Sequence, residues 1–201
     1  MKKAVFLDKD GTLVNDVAYN VDVTKIELTQ QSIEGLLVLQ KAGYLLIIIS
    51  NQAGLAHGYF SEFALIRANE YLESLLKEHG IQINAAYYCP HHPEGHVRGL
   101  SMDCSCRKPK PGLLMTAAKD LNIDLTSSWM IGDILHDVEA GNRAGCRTVL
   151  VDNGNETEWV TGAWRQPFAH VSSINEAASF IIHHTASAHA KLEGLSKPAL
   201  R

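Results

Sequence analysis

The sequence predicts a doubly wound α/β fold, a parallel sheet with helices on both faces. Three observations carry that prediction. Short, nearly continuous apolar runs recur at residues 4–7, 44–49, 129–131 and 148–151, as strands covered on both faces require. Stretches with helical apolar spacing lie between them, and that alternation builds a parallel sheet. The first three runs each stop at a polar cluster: Asp8-Lys9-Asp10, Ser50-Asn51 and Gly132-Asp133. Ligands of open parallel sheets bind at the carboxyl ends of strands, so the same pattern that gives the fold also locates the chemistry.

Taken in order, Ala4-Val5-Phe6-Leu7 forms the first strand and Gly11-Thr12 turns the chain away. Residues 14–25 read as a polar, irregular loop. A helix is expected from near Thr29, an acceptable N-cap, with Ile33, Leu36, Leu37 and Leu39 on its apolar face and Gly43 ending it. Residues 44–49 form a central strand. A second helix is expected over residues 61–79, burying Phe63, Ile66, Tyr71, Leu75 and Leu76. Residues 85–88 make a short strand and 89–110 a loop. Pro111 suits the first turn of a helix over 113–121. After the strand at 129–131 come a helix at 138–144, stopped by Gly145, and a strand at 148–151. Ser173 and Glu176 form a capping box that opens a last helix near 174–182. The expected organisation is one domain over residues 1–182, with a loop at 89–106 that holds three of the four cysteines, and a small, polar, flexible tail at 183–201. The gaps 12–44 and 49–129 leave no obvious room for a separate cap domain.

Composition narrows the function classes. The 201 residues carry a formal net charge of −4, 46% hydrophobic residues and 20% charged ones, an ordinary globular balance. That balance gives no basic footprint for a nucleic-acid partner. No apolar run reaches membrane-spanning length, and with a strand starting at residue 4 no signal peptide is expected. The expectation is a cytoplasmic monomer acting on a small molecule.

Asp8 and Asp10 flank one residue at a strand end, and side chains alternate along a strand, so both can face one cleft. Carboxylates that close repel unless a cation lies between them, and Mg²⁺ with a phosphoryl substrate answers that repulsion. The Ser50 hydroxyl and its neighbouring backbone N–H groups could hold phosphoryl oxygens. Lys108 precedes a helix N-terminus, which favours anions. Asp133 ends a strand, with Asp137 one turn later. Each of these alone equally describes a turn, a solvated basic run or an N-cap. Cys89, Cys104 and Cys106 cluster beside His91; in a reducing compartment that favours metal over disulfide. Three thiolates and an imidazole make a closed tetrahedral Zn²⁺ set, structural rather than catalytic. His92 and His96 are alternative ligands, and Cys146 reads as a buried core thiol.

Asp8-Lys9-Asp10-Gly11-Thr12, Ser50, Lys108 and Gly132-Asp133 with Asp137 resemble, in order, the four motifs of the haloacid dehalogenase-type phosphohydrolases. With Ser50-Asn51-Gln52-Ala53-Gly54, Cys89-Pro90-His91-His92-Pro93-Glu94-Gly95 and the stretch from Cys104 to Gly112, residues 1–155 resemble the heptose bisphosphate phosphatases, capless, Rossmann-like zinc-loop members of that superfamily. The resemblance implies that Asp8 attacks phosphorus and Asp10 is the acid/base. It implies that Ser50 and Lys108 stabilise the equatorial oxygens and that Mg²⁺ sits on Asp8, the Asp10 carbonyl and Asp133. It also implies substrate contacts from Asp16, Val17, Ala18 and Tyr19, from Ser50, Asn51, Gln52 and Ala53, and from Arg107 and Lys108. The implied substrate is a heptose 1,7-bisphosphate, cleaved at C7 on the way to lipopolysaccharide or surface glycans. Some relatives carry a substrate-contacting Lys where this chain has Ile134. Histidinol-phosphate phosphatase, with a shorter loop between its zinc-ligand pairs, is the nearest rival. A zinc-stabilised binding domain without catalysis and a nucleic-acid 3′-phosphatase are the others.

Overall fold

The computed structural model describes residues 1–30 and 32–195. Six strands form one sheet: β1 Ala4–Leu7, β2 Leu45–Asn51, β3 Ala85–Cys89, β4 Trp129–Gly132, β5 Arg147–Val151 and β6 Ala169–Val171. Their order is β3-β2-β1-β4-β5-β6 and every pairing is parallel. The helices are α1 Ser32–Lys41, α2 Gly54–His57, α3 Glu62–Glu78, α4 Gly112–Leu121, α5 Leu135–Ala144 and α6 Ile174–Leu195.

Alternation along β1 divides the core in two. Val5 and Leu7 join Leu36 and Leu39 of α1, Leu72 and Leu76 of α3, and Ile174, Ala177 and Ile181 of α6. Ala4 and Phe6 face the other way, onto Leu113, Leu114 and Ala117 of α4 and Ala140 of α5. Apolar residues on both faces are what make the strand runs nearly continuous in sequence. The chain order reverses at β1 and β4, which are adjacent, and the crevice at such a switch point is where these folds bind ligands. No helix among the described residues is long and apolar enough to cross a membrane.

Several elements differ from expectation for identifiable reasons. Helix α1 starts at Ser32, not Thr29, because the Thr29 hydroxyl donates to the Thr12 carbonyl at 2.7 Å and serves the loop after β1 instead. In α3 the buried stripe is Leu65, Ala68, Leu72 and Leu76, while Phe63, Ile66 and Tyr71 are exposed. Both sides of that helix carry apolar residues, and the side with small Ala68 is the one that meets the sheet. Helix α5 begins at Leu135, earlier than residue 138, because two carboxylates satisfy its first N–H groups. Ile134 N donates to Asp137 Oδ2 at 3.3 Å and Leu135 N to Glu156 Oε2 at 2.6 Å. Short α2 and edge strand β6 are additional. At α6 the Ser173 hydroxyl accepts from Glu176 N at 3.2 Å, but Glu176 reaches back to Ser172 N, at 2.9 Å, rather than to Ser173.

The helix then runs to Leu195, past the boundary at 182 expected for the last helix and into the expected tail. His184 packs edge-on to Trp129 and Phe168, with ring centroids 5.5 and 4.9 Å away. Thr185 meets the Tyr44 hydroxyl at 3.0 Å. Residues 196–201 of that tail lie outside the described residues.

Candidate active site

Asp8 leaves β1 buried, its amide donating to the Ile131 carbonyl of β4 at 3.0 Å. Lys108 Nζ donates to Asp8 Oδ1 at 2.6 Å and to the Ile49 carbonyl at 3.1 Å. It also lies 2.6 Å from Asp137 Oδ1, an ion pair off the hydrogen-bond axis. Burial works against charge on Lys108, but Asp137 and Asp8 outweigh it and hold the ammonium above its ordinary value. Burial, then the charge of Asp137, pushes Asp8 up to about 7 against the pull of Lys108. Burial, then Asp8, lifts Asp133 to about 6. Thr12 Oγ1 and Asn155 Nδ2 oppose that rise by donating to Asp133 Oδ1 and Oδ2 at 2.9 and 2.7 Å.

The carboxylate oxygens of Asp8, Asp133 and Asp137 lie within 4.8 Å of one another. Three crowded acids and one ammonium leave a net negative site, and the oxygen donor set fits a hard divalent cation. Lys108 engages Asp8 and Asp137 at the same 2.6 Å, whereas Asp133 has only neutral partners, so the three carboxylates together form the candidate cation site.

Asp10 sits one step outward. Its Oδ1 is 2.5 Å from Lys9 Nζ and its Oδ2 accepts from Gln52 Nε2 at 3.0 Å. Gln52 also donates to the Ser50 hydroxyl oxygen at 2.7 Å. Asn51 and the Lys108 backbone exchange two bonds, of 3.0 and 3.1 Å, so the end of β2 fixes the lysine that reaches Asp8.

Two adjoining cavities cover these groups. One, about 260 Å³, is lined by Asp8, Asp10, Lys108, Asp133, Ile134 and His136 among others. The second, about 210 Å³, adds Val17, Tyr19, Asn20 and the segment from Gln52 to Gly54. Asp16, Asn51 and Arg107 line both. Ser50 is buried and, like exposed Ala18, lines neither. Tyr19 takes a φ of 53°; its ring packs edge-on to Tyr59 at 4.8 Å and to His57 at 6.0 Å. Sequence reasoning missed Lys9, His57, His136, Asn153 and Asn155. The last two follow directly after β5, so the strand-end rule that singled out Asp8 and Asp133 also points to them.

Cys89, His91, Cys104 and Cys106 converge, with all four ligand atoms within 4.8 Å of one another. Sulfur separations run from 3.0 to 3.5 Å, and His91 Nδ1 lies 3.4 Å from Cys106 Sγ and 3.6 Å from Cys89 Sγ. This soft set is closed on itself and can hold a metal ion. His92 stands apart, accepting from Glu94 N at 3.2 Å. The loop leans on α2 through His96 N and Val97 N, both donating to the Ala56 carbonyl, at 2.7 and 2.9 Å.

Comparison with known proteins agrees with this geometry. The family model "HAD-hyrolase-like" matches residues 105–177. The D-glycero-beta-D-manno-heptose-1,7-bisphosphate 7-phosphatase of Pasteurella multocida is 46% identical over 155 residues, 77% of this chain and 84% of that one. A D-glycero-alpha-D-manno-heptose-1,7-bisphosphate 7-phosphatase of Photorhabdus laumondii is 43% identical over 156 residues, covering 77% and 85%. Among solved structures, the D,D-heptose 1,7-bisphosphate phosphatase of B. bronchiseptica, complexed with magnesium and phosphate, aligns with a TM-score of 0.74. It is 26% identical and the alignment covers 90% of this chain and 99% of that one.

Proposed function

The chain belongs to the heptose 1,7-bisphosphate 7-phosphatase family of haloacid dehalogenase-type phosphohydrolases, and on that premise we propose that it removes the C7 phosphate of D-glycero-D-manno-heptose 1,7-bisphosphate. It is a phosphoric monoester hydrolase. Its place is in making heptose precursors of lipopolysaccharide or surface glycans.

Asp8 attacks phosphorus in line, forming an aspartyl-phosphate as the bond to the C7 oxygen breaks. Asp10 gives the leaving oxygen a proton, then takes one from the water that hydrolyses the acyl phosphate. Lys108 holds Asp8 in place and, with Ser50, meets charge spread over the equatorial oxygens. Mg²⁺ belongs on Asp8, the Asp10 carbonyl and Asp133, where it supplies the positive charge that lets a phosphate dianion approach a carboxylate. Asp16, Val17, Ala18 and Tyr19, the segment Ser50, Asn51, Gln52 and Ala53, and Arg107 hold the sugar and its second phosphate. Zn²⁺ on Cys89, His91, Cys104 and Cys106 pins the loop that leads into Arg107 and Lys108. We place the enzyme in the cytoplasm, where those thiols stay reduced, as a monomer without nucleic-acid or membrane partners. Its single catalytic domain takes in residues 1–182 and the helix that runs on from them.

The observation that carries this reading is the buried Lys108–Asp8 pair at 2.6 Å, beside the Asp133 carboxylate at the switch point of the sheet. A comparison of kcat/KM for heptose 1,7-bisphosphate, histidinol phosphate and fructose 1,6-bisphosphate tests it. The heptose ester should be cleaved most efficiently, and a preference for histidinol phosphate would leave only the phosphatase class standing.

A further inference from the structure

We propose that Asn155 is a positioning residue for Asp133, and that residues 153–156 clamp this carboxylate to the loop carrying Asp8 and Asp10. The inference rests on the reading of Asp133 as a cation ligand. Three contacts make the clamp. Asn155 Nδ2 donates to Asp133 Oδ2 at 2.7 Å, and Asn153 Nδ2 donates to the Gly11 carbonyl at 2.7 Å. Glu156 Oε2 accepts from Leu135 N at 2.6 Å, fixing the start of α5 just past Asp133. The segment is itself braced, because Asn155 N donates to Asn153 Oδ1 at 3.2 Å.

The approach is close enough to need glycine on the opposite side. A methyl at Gly11 would lie 2.1 Å from Asp133 Oδ2 and 2.4 Å from Asn155 Nδ2, and the glycine φ is +83°. The chemistry of an amide suits the position. Thr12 takes one lone pair of Asp133 Oδ1 and Asn155 one of Oδ2, and each carboxylate oxygen keeps a further acceptor site. The carboxylate is therefore held in one orientation while a site for a cation remains. A carboxylate in place of Asn155 would add repulsion, and an apolar residue would leave Asp133 free to turn. Partners behind a ligand of this kind typically govern metal affinity by about 10–100-fold.

The test is Mn²⁺ affinity of the full chain, read by electron paramagnetic resonance on protein freed of Mg²⁺ by dialysis without chelator, so that any zinc is retained. Asn155→Leu keeps the volume and deletes the donor; Asn155→Ala is the second variant. Both should weaken Mn²⁺ binding about tenfold or more while keeping a cooperative unfolding transition. The Mg²⁺ concentration that half-saturates turnover should rise by the same factor. Affinity within twofold of wild type in either folded variant overturns the inference, as does loss of cooperative unfolding in both, which would mark the role as structural. Asp133→Asn separates the two readings. If it abolishes Mn²⁺ binding while the Asn155 variants do not weaken it, only the clamp fails. If it too leaves affinity unchanged, the ligand assignment fails with it.

Discussion

Lys108 is where the buried charges converge, since its buried ammonium lies 2.6 Å from both Asp8 and Asp137. Lys108→Met should therefore cost more than turnover. Removing one partner of a buried ion pair typically destabilises by about 3–5 kcal/mol, measurable as a lower urea midpoint. Asp8→Asn should keep the fold and lower kcat by about 10⁴-fold or more, because an amide is not a competent nucleophile. Burial and crowding lift Asp8 to about 7 and Asp133 to about 6, both above the ordinary carboxylate value. Protons therefore compete with the cation in the acid range. Mg²⁺ affinity should rise as pH climbs from about 5 to about 8, with proton release on binding. Calorimetric titration in two buffers of different ionisation enthalpy checks this, and a flat affinity over that range contradicts it. Asp8, Asp10 and Asp133 could be singled out in the sequence because each sits just past a strand, and Lys108 because it lies just before the start of α4. Lys9 and Asn155, which the sequence did not single out, ion-pair or hydrogen-bond those residues. A single sequence does not print such pairings, and only the strand-end position of Asn155 hinted at its role.

Among the elements, the thiol–imidazole loop has the most direct line to the site. Cys106 is followed immediately by Arg107 and Lys108, and Gly112 N donates back to the Ser105 carbonyl at 3.1 Å, so the loop end and the start of α4 are one unit. Cys104→Ser should lower bound zinc from one per chain and reduce stability by several kcal/mol or more. Its effect on KM should exceed its effect on the remote core, as seen by hydrogen exchange. Metal analysis that finds no zinc in wild-type protein purified without chelator would contradict the assignment. The α1–α6 contact makes a second prediction. A methyl at Gly35 would lie 2.8 Å from the Ile174 carbonyl oxygen, so Gly35→Ala should cost about 1–3 kcal/mol by forcing the helices apart. Element types were legible where apolar runs were short and buried on both sides. The face of α3 was not, because Phe63, Ile66 and Tyr71 compete with Leu65, Ala68 and Leu72 for the inside, and packing against the sheet decides. The start of α5 was hidden because carboxylates from Asp137 and Glu156 cap it, one of them from a loop twenty residues on. Strand β6, three residues long, offers too little pattern to read, and the length of α6 was hidden by its small, polar composition.

At the scale of the whole molecule, residues 8, 50 and 133 gather at the carboxyl ends of the interior strands β1, β2 and β4, where the loop before α4 brings Lys108, and among the described residues no separate domain covers them. Selectivity must then come from loop side chains. Arg107 lines both cavities, and its planar fork suits bidentate recognition of phosphate oxygens. Arg107→Ala should lower kcat/KM for a bisphosphate by more than it lowers cleavage of a simple phosphate ester, and equal losses for both would remove it from selectivity. Because similar relatives carry names for both anomers, α- and β-linked heptose 1,7-bisphosphates should be assayed side by side. The central claim concerns which phosphate leaves, and phosphorus NMR of the turnover of each anomer tests it most directly. Loss of the C7 ester signal, with the C1 phosphate intact and inorganic phosphate rising in equal amount, is the result expected. Loss of the C1 phosphate, or no turnover of either anomer by Mg²⁺-loaded enzyme, would contradict it.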